Sequence, residues 1–482
     1  MRVFWYNKVK NNKKEKMNFK TYNQGQSTLL PTNFRDHLGD SHEAVILNEF
    51  IDTLDTTKLL NSYKNQRGGS SAYNPIMLLK LFIYAYSNQT FSSRKIAQKL
   101  SQDIAFMYLA GNTQPDFRTI NNFRLHKGEF IEDIFLQLVL WAKDMGYAKF
   151  DTCSLDGTKI EANASKGANV NEDELRRRIK DLLQQGADID AIEDEMYGED
   201  NEDDIDPQLK TKEGRDKRRK EIEERKKKQQ AALDEVKDSK SSSTKTVKRN
   251  TTDPQSRLMK MKKGNFANAY NVQNIVEDGI ILAVSVDSSS SDIKTLIPTL
   301  KLLPHKPKIL LADTGYASSQ NYEYCNEESI NAFIPPYQQL DLSKYTYNTK
   351  DDTYTDSKGR VYIFKQNMKL RPGKKRIKGA TPLENRKLYR SVLYYNIDSS
   401  GKASYLNIDI DWQNHCSNQK QKLSTPYGKK VYSKRSWDVE GVFGNIKRNL
   451  NFTKFNLRGT KGVTTEWNLI CIAHNIRKLI TT

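Results

Sequence analysis

The stretch Lys308–Tyr316, KILLADTGY, carries the reading of the fold. Ile309, Leu310, Leu311 and Ala312 make a short apolar run of the kind that forms a buried strand. The run ends on Asp313, and Gly315 marks a turn. A carboxylate at the C-terminal end of a buried strand stands where open α/β sheets place their ligands. Taken alone, Asp313 reads first as a cap for the turn or the next helix. Two other acidic residues in comparable settings, Asp156 upstream and Glu440 downstream, shift that balance toward a ligand-holding role.

Working outward, Lys149–Ala164 (KFDTCSLDGTKIEANA) reads as a strand running to Asp156, and Gly157 lets backbone approach whatever that carboxylate holds. Asn268–Ile275 and Ile280–Asp287 read as strands joined by Glu277-Asp278-Gly279, a good hairpin turn. A helix over Asp292–Leu303 is stopped by Pro304, and the Asp313 strand follows. A helix over Ser318–Ser329 and a strand over Asn331–Ile334 complete the series. With the long insertion after Asp156 set aside, this is the element order of an RNase H-like core. In that fold the strands ending in Asp156 and Asp313 lie side by side. The fold class expected is therefore α/β.

Around the core the composition changes. Residues 1–60 form an N-terminal extension without strong periodicity. Residues 61–147 read as a helical, candidate DNA-binding domain. It includes the buried helix PIMLLKLFIYAYSN and one long helix capped by Asp116 and ending at Gly146. Arg94, Arg118 and Arg124 fall on its expected exposed faces, and a purely structural bundle is as good a reading as a DNA reader. The core is expected from 148–164, 264–336 and 431–482. Residues 165–263 form a charged helical insertion. There Asp188–Asp206 holds 11 acidic and no basic residues, while Lys210–Lys228 holds 11 basic and 5 acidic ones. Apolar residues look too sparse there for a core, so a solvated arm, coiled-coil-like or disordered in part, is expected. Residues 337–430 read as a β-rich insertion, with runs at Val361–Lys365, Ser391–Tyr395 and Tyr405–Ile410. Arg435–Leu450 reads as a helix with Val439, Val442, Phe443 and Ile446 on one face.

At 482 residues the chain can hold several domains. Lys and Arg number 78 against 59 acidic residues, a net charge of +19, which points to a polyanionic partner. The 24 tyrosines among those cations suit packing on bases or sugars. No apolar run approaches the ~20 residues of a membrane span. The cysteines (Cys153, Cys325, Cys416, Cys471) are scattered, with no zinc or disulfide pattern, which fits a reducing cytoplasm. Met1–Lys16 lacks the apolar core of a signal peptide, and Met17 is a second candidate start. GxxxxGK[ST], GxSxG and HExxH are all absent, which argues against P-loop, α/β-hydrolase and zincin chemistry. The six histidines are isolated and read as structural.

Three carboxylates converging from two strands and a helix make hard oxygen ligands for Mg²⁺ or Mn²⁺. Two such ions, roughly 3.5–4 Å apart, can serve phosphoryl displacement, with Lys and Arg holding the phosphate backbone.

Several blocks, in order, resemble the DDE transposases of bacterial insertion sequences whose RNase H-like core carries a Y-R-E-K signature. NPIMLLKLFIYAYSNQTFSSRKIAQ and QPDFRTINNFR are similar to the N-terminal helical domain of that group. SLDGTKIEANASK resembles its first-Asp motif, which selects Asp156 over Asp151. GNFANAYNVQ is similar to the next block, LADTGYASSQ to the second-Asp motif, and RSWDVEGVFGNIKRNLNFTKFNLRG to the Glu motif and its basic tail. The resemblance implies a catalytic and metal-binding set of Asp156, Asp313 and Glu440, two Mg²⁺ (or Mn²⁺), and cleavage of element ends with strand transfer. It also implies DNA contacts from Arg435 and Lys447, with Tyr316, Arg458 and Lys461 as further contacts, a homodimer at synapsis, and a cytoplasmic, nucleoid-associated site of action. The family's Y-x2-R-x3-E-x6-K spacing is altered here. Four residues, not three, separate Arg435 from Glu440, which on an α-helix would turn Arg435 by ~100° or leave it before the helix. The Cys cluster frequent before the Glu in that group is reduced to Cys416. Trp437 is a candidate for holding a flipped base, although a Trp there more often belongs to the core. Two other readings stay open: an RNase H-like nuclease without strand transfer, and a transposase-derived DNA-binding regulator without catalysis.

Overall fold

The computed structural model describes residues 22, 33–63, 71–196, 208–209, 211–239, 248–262, 264–337, 340–368, 386, 388–398 and 401–481. The first 21 residues, the acidic run over 197–206 and the Ser/Thr/Lys-rich 240–246 lie outside them. The chain divides into two compact units, one of residues 1–142, 159–270 and 444–482, the other of 143–158 and 271–443. The boundaries fall inside the strands Thr152–Glu161 and Phe266–Glu277.

The first unit is built on helices. Pro75–Ser87 is buried along nearly its whole length and packs on the C-terminal helix Gly459–Thr481. Asn74 caps the former, its side chain accepting from Ile76 N–H, and Pro75 occupies the first turn, where its missing N–H costs nothing. The single long helix expected after Asp116 is two helices, Phe117–His126 and Gly128–Asp144, separated at Lys127. Gly128 sits where an added Cβ would lie 2.3 Å from Thr465 Oγ1, so the second helix begins at a close approach that only Gly tolerates. In the charged insertion, Glu172–Met196 and Lys212–Ser239 pack as a helical pair. Its few apolar residues suffice for two small clusters, one around Leu175, Leu233 and Val236, the other around Leu182, Ile189 and Ile222. That corrects the coreless arm expected from composition.

The second unit holds most of a six-stranded sheet. Its path runs Arg257–Lys260, Phe266–Glu277, Thr152–Glu161, Ile309–Ala312, Asn331–Phe333, and Ile280–Asp287 also pairs with Phe266–Glu277. The hairpin turn has Asp278 and Gly279 at φ 51° and 81°, left-handed positions that suit an Asp-Gly pair. Thr152–Glu161 and Ile309–Ala312 pair in parallel, with Leu155 opposite Ala312, so Asp156 and Asp313 follow aligned residues. Glu277, buried at 2 %, accepts the backbone N–H groups of Lys149, Phe150, Asp151 and Thr152 at 2.7–3.1 Å, which pins the start of the Asp156 strand. The helix expected from Asp292 begins only at Leu296, because residues 292–295 form a turn closed by Thr295 N–H to Asp292 O.

Tyr345–Asn348, Thr353–Asp356, Val361–Asn367, Ser391–Ile397 and Ala403–Asp409 form a five-stranded antiparallel sheet with its own core of Tyr362, Val392, Tyr394, Leu406 and Ile408. The remainder of the expected β-rich insertion is helical: Ile410–Ser424, then Pro426–Arg435 behind a Thr425 cap. A π-helical turn, Ser436–Glu440, continues the second of these. The apolar face read in this segment is buried: Val439, Val442, Phe443 and Ile446 are at most 8 % exposed.

Candidate active site

The site lies within the second unit, where the parallel pairing of the two strands stops: Asp313 follows the strand end at Ala312, while Asp156 sits inside Thr152–Glu161, which runs on to Glu161 instead of ending at Asp156 as expected. Asp313 takes the capping role read for it with one oxygen and turns the other toward a cation of the chain. Oδ1 accepts from Gly315 N–H at 2.8 Å, capping the short turn Thr314–Tyr316, while Oδ2 faces Arg435 Nη2 at 3.8 Å. Asp156 Oδ1 accepts from Gly157 N–H at 2.9 Å and lies 3.1 Å from the same Arg435 nitrogen. One guanidinium therefore faces both carboxylates. Asp151, the rejected alternative, is instead ion-paired with Lys308 on the exterior.

Arg435 reaches this position because the helix carrying it is anchored at several points. Tyr432 OH donates to Ala312 O at 3.4 Å, at the very end of the Asp313 strand. Lys434 pairs with Asp278 of the hairpin turn at 2.8 Å. Asp438 accepts from Ser154 Oγ at 2.8 Å, and Ser154 shares its face of the strand with Asp156. The extra residue between Arg435 and Glu440 is absorbed by the π-helical turn, whose i→i+5 bonding takes one more residue per turn than an α-helix. The expected ~100° rotation is thereby largely cancelled, and Arg435 closes a helix instead of preceding one.

Electrostatically the pair is poised to take a cation. Burial pushes the Asp156 carboxyl up to about 6, with Asp313 and Asp292 adding to the rise, while Arg435 and the Gly157 N–H oppose it. A desolvated carboxylate beside others needs positive charge, and two hard oxygen donors side by side are of the type that Mg²⁺ accepts. Glu440 is exposed, with no hydrogen bond or ion pair described for it. Among the described residues no three His, Cys, Asp or Glu side chains are grouped to hold a metal. The donor chemistry of Asp156 and Asp313 thus fits a divalent ion. The structure does not bring Glu440 to them, and Arg435 supplies the counter-charge.

Other residues singled out from sequence are placed as follows. Arg124, expected on an exposed face, is 3 % exposed and ion-paired to Glu466, so its guanidinium is consumed inside the fold. Tyr316, expected at DNA, is fully buried, and its OH donates to Gln273 Oε1. Arg118 is exposed and, like Arg94, lies over the Phe117 ring. Lys447 Nζ donates to Lys159 O, and Arg458, exposed, donates to Asn163 O. Trp437, expected in the core, is 86 % exposed.

Sequence reading missed Asn271, Gln273 and Asp292. The signal was there: Asn271 and Gln273 are amides at alternate positions of a strand that is buried from its second residue onward, where a buried amide demands a partner. Gln273 also explains Gly157. A Cβ there would lie 2.4 Å from Gln273 Nε2 and 2.8 Å from its Oε1. Gly157→Ala is expected to slow strand cleavage by on the order of 100-fold through displacement beside Asp156. A gel-based cleavage assay with a parallel DNA-binding measurement checks this, and unchanged cleavage would refute it.

Burial also pushes Asp438 up to about 6, opposed by the Ser154 hydroxyl and Lys434. The folded carboxyl keeps its proton longer than the unfolded chain's. Stability is therefore lost as pH rises from about 4 to about 6, and the deficit persists above that range. Asp438→Asn keeps an acceptor for Ser154 and removes the charge. In metal-free buffer it should be more stable than wild type above pH 6, on the order of 2–3 kcal/mol, and equal to it below pH 4. Denaturation curves at pH 4 and pH 8 decide the point, and coincident curves at pH 8 would contradict it.

Comparison with protein families places the chain. The Transposase DDE domain family matches residues 236–476, half of the chain, and the Transposase domain (DUF772) family matches residues 32–126. Neither a curated protein nor a solved structure matches the chain. The chain belongs to the DDE transposase family. It is a DNA transposase, an enzyme of metal-dependent phosphoryl transfer on DNA, in a family that generally uses Mg²⁺. The longer match spans Asp313 and Glu440 but begins after Asp156, whose place rests on the parallel strand pairing. Among the described residues no helix is long and apolar enough to cross a membrane.

Proposed function

We propose that this transposase binds the ends of its element, cuts the DNA there and joins the freed ends to a target. The observation that carries the reading is the pair Asp156 and Asp313, each following the last paired residue of neighbouring parallel strands and facing one guanidinium. The strand order, with the Asp156 strand central, supports an RNase H-like core within residues 148–164, 264–336 and 431–482. We take Asp156, Asp313 and Glu440 as the catalytic and metal-binding set, of which Asp156 and Asp313 stand together in this structure and Glu440 stands apart from them, with two Mg²⁺ as the complement and Mn²⁺ as a substitute. Metal bound there supplies Lewis-acid stabilisation of the attacking and leaving oxygens.

The chain's own groups do the positioning. Asp156 and Asp313 hold their charge beside Arg435, and Arg435 becomes available to a phosphate once that charge is met otherwise. Exposed Arg118 and Arg458, with Lys447 and Lys461, hold the backbone of duplex DNA. Trp437, exposed next to Glu440, offers a ring to an unstacked base. Two ends are held by two copies, so a homodimer at synapsis is proposed, acting on nucleoid DNA in the cytoplasm.

Incubation of the protein with Mg²⁺, DNA carrying the element's ends and a supercoiled target tests the reading. Nicks at the ends and end–target joints are expected. Nicks without joints would leave a nuclease, and no nicks at all would defeat the proposal.

A further inference from the structure

Asp292 stands outside the strand pair that carries Asp156 and Asp313, yet it is tied to the surroundings of both. Asn271 Nδ2 and Gln273 Nε2 donate to its Oδ1 at 2.7 and 2.9 Å. Both amides are buried, at 2 % and 0 % exposure, so their orientation is set by these partners. A Gln amide has one donating and one accepting end. With Nε2 committed to Asp292, Oε1 is left for the Tyr316 hydroxyl, which donates to it. Tyr316 closes the turn that Asp313 caps. The same Gln273 amide lies against Gly157, the residue after Asp156, at a distance no Cβ could share. Gly315, in the Asp313 turn, stands against Asp292 itself, where a Cβ would be 3.4 Å from Oδ2.

One side chain therefore touches the backbone next to the first carboxylate and the turn held by the second. We infer that Asp292 is a positioning residue that, through Gln273, sets the spacing of Asp156 and Asp313. The inference rests on the active-site reading above and adds what holds that site in shape. A small error in that spacing is costly, because a displacement near 1 Å at a reacting centre can cost ~100-fold in rate.

Positioning and charge make different demands at residue 292. A positioning acceptor can be an amide oxygen, so Asp292→Asn keeps both bonds. Asp292→Ala leaves two buried amides without their acceptor and frees Gln273 to turn.

The test uses full-length wild type, Asp292→Asn and Asp292→Ala. In single-turnover cleavage of end DNA with Mg²⁺ at saturating DNA, Asp292→Ala should be slowed about 100-fold with DNA affinity unchanged. Asp292→Asn should stay within about threefold of wild type. Amide hydrogen exchange on metal-free, DNA-free protein gives a second readout: Gly157 and Gly315 should exchange faster in Asp292→Ala and not in Asp292→Asn. The inference is overturned if Asp292→Ala matches wild type in exchange, or if Asp292→Asn is as slow as Asp292→Ala. Should wild type itself fail to cleave, the transposition reading falls, and the exchange result alone decides the spacing claim.

Discussion

Asp313→Asn is expected to abolish Mg²⁺-dependent cleavage of end DNA, a loss of ~1,000-fold or more, equivalent to about 4 kcal/mol of transition-state stabilisation. The substitution is nearly isosteric. Its Oδ1 still accepts from Gly315 N–H, so the turn Thr314–Tyr316 keeps its cap. What disappears is the negative charge that Oδ2 presents toward Arg435 and, in the proposed site, toward a divalent ion. DNA affinity comes mostly from cations meeting phosphates, so removing one acidic charge should leave it intact or slightly stronger. A mobility-shift titration beside a cleavage assay separates the two effects. Cleavage by Asp313→Asn within about tenfold of wild type would remove Asp313 from the catalytic set.

The second large effect concerns stability. Arg124→Ala should destabilise the protein by about 3–5 kcal/mol, because it strands a buried carboxylate. Glu466 is 0 % exposed, and its Oε1 receives Arg124 Nη1 at 3.0 Å and Tyr86 OH at 2.7 Å. Its Oε2 receives the backbone N–H groups of Asn456 and Leu457, both at 2.7 Å. Arg124 also donates to Phe91 O and to Asn121 Oδ1. Adding Glu466→Gln should recover part of the loss, since the remaining side chain carries no charge, and non-additivity of the pair measures the coupling. Chemical denaturation checks both. If Arg124→Ala instead leaves stability untouched and weakens DNA binding with a shallower salt dependence, the residue is a phosphate contact after all.

These cases separate what was legible in the chain from what was not. An apolar run ended by a carboxylate is a local pattern, so the strand leading to Asp313 could be read from neighbouring residues alone, whereas the strand through Asp156 was read to end at that residue and runs on to Glu161. So could the Asp278-Gly279 turn, which depends on residues that tolerate a positive φ, and the buried face of Val439, Val442, Phe443 and Ile446, which depends on a period of 3.6 residues. The choice of partner for each charge was beyond that reach. Arg124 looked like an exposed cation because its own helix says nothing of Glu466, 342 residues away. Tyr316 looked available until Gln273, 43 residues upstream, took its hydroxyl.

At Lys308–Tyr316 itself, sequence alone determined that Asp313 ends a buried strand and turns at Gly315. Tertiary structure decided that its carboxylate both caps that turn and shares Arg435 with Asp156, and that a π-helical turn keeps Arg435 in phase despite the added residue. The reason is physical: periodicity reports which way a side chain points, while the neutralisation of a buried charge depends on whatever the rest of the fold delivers to it.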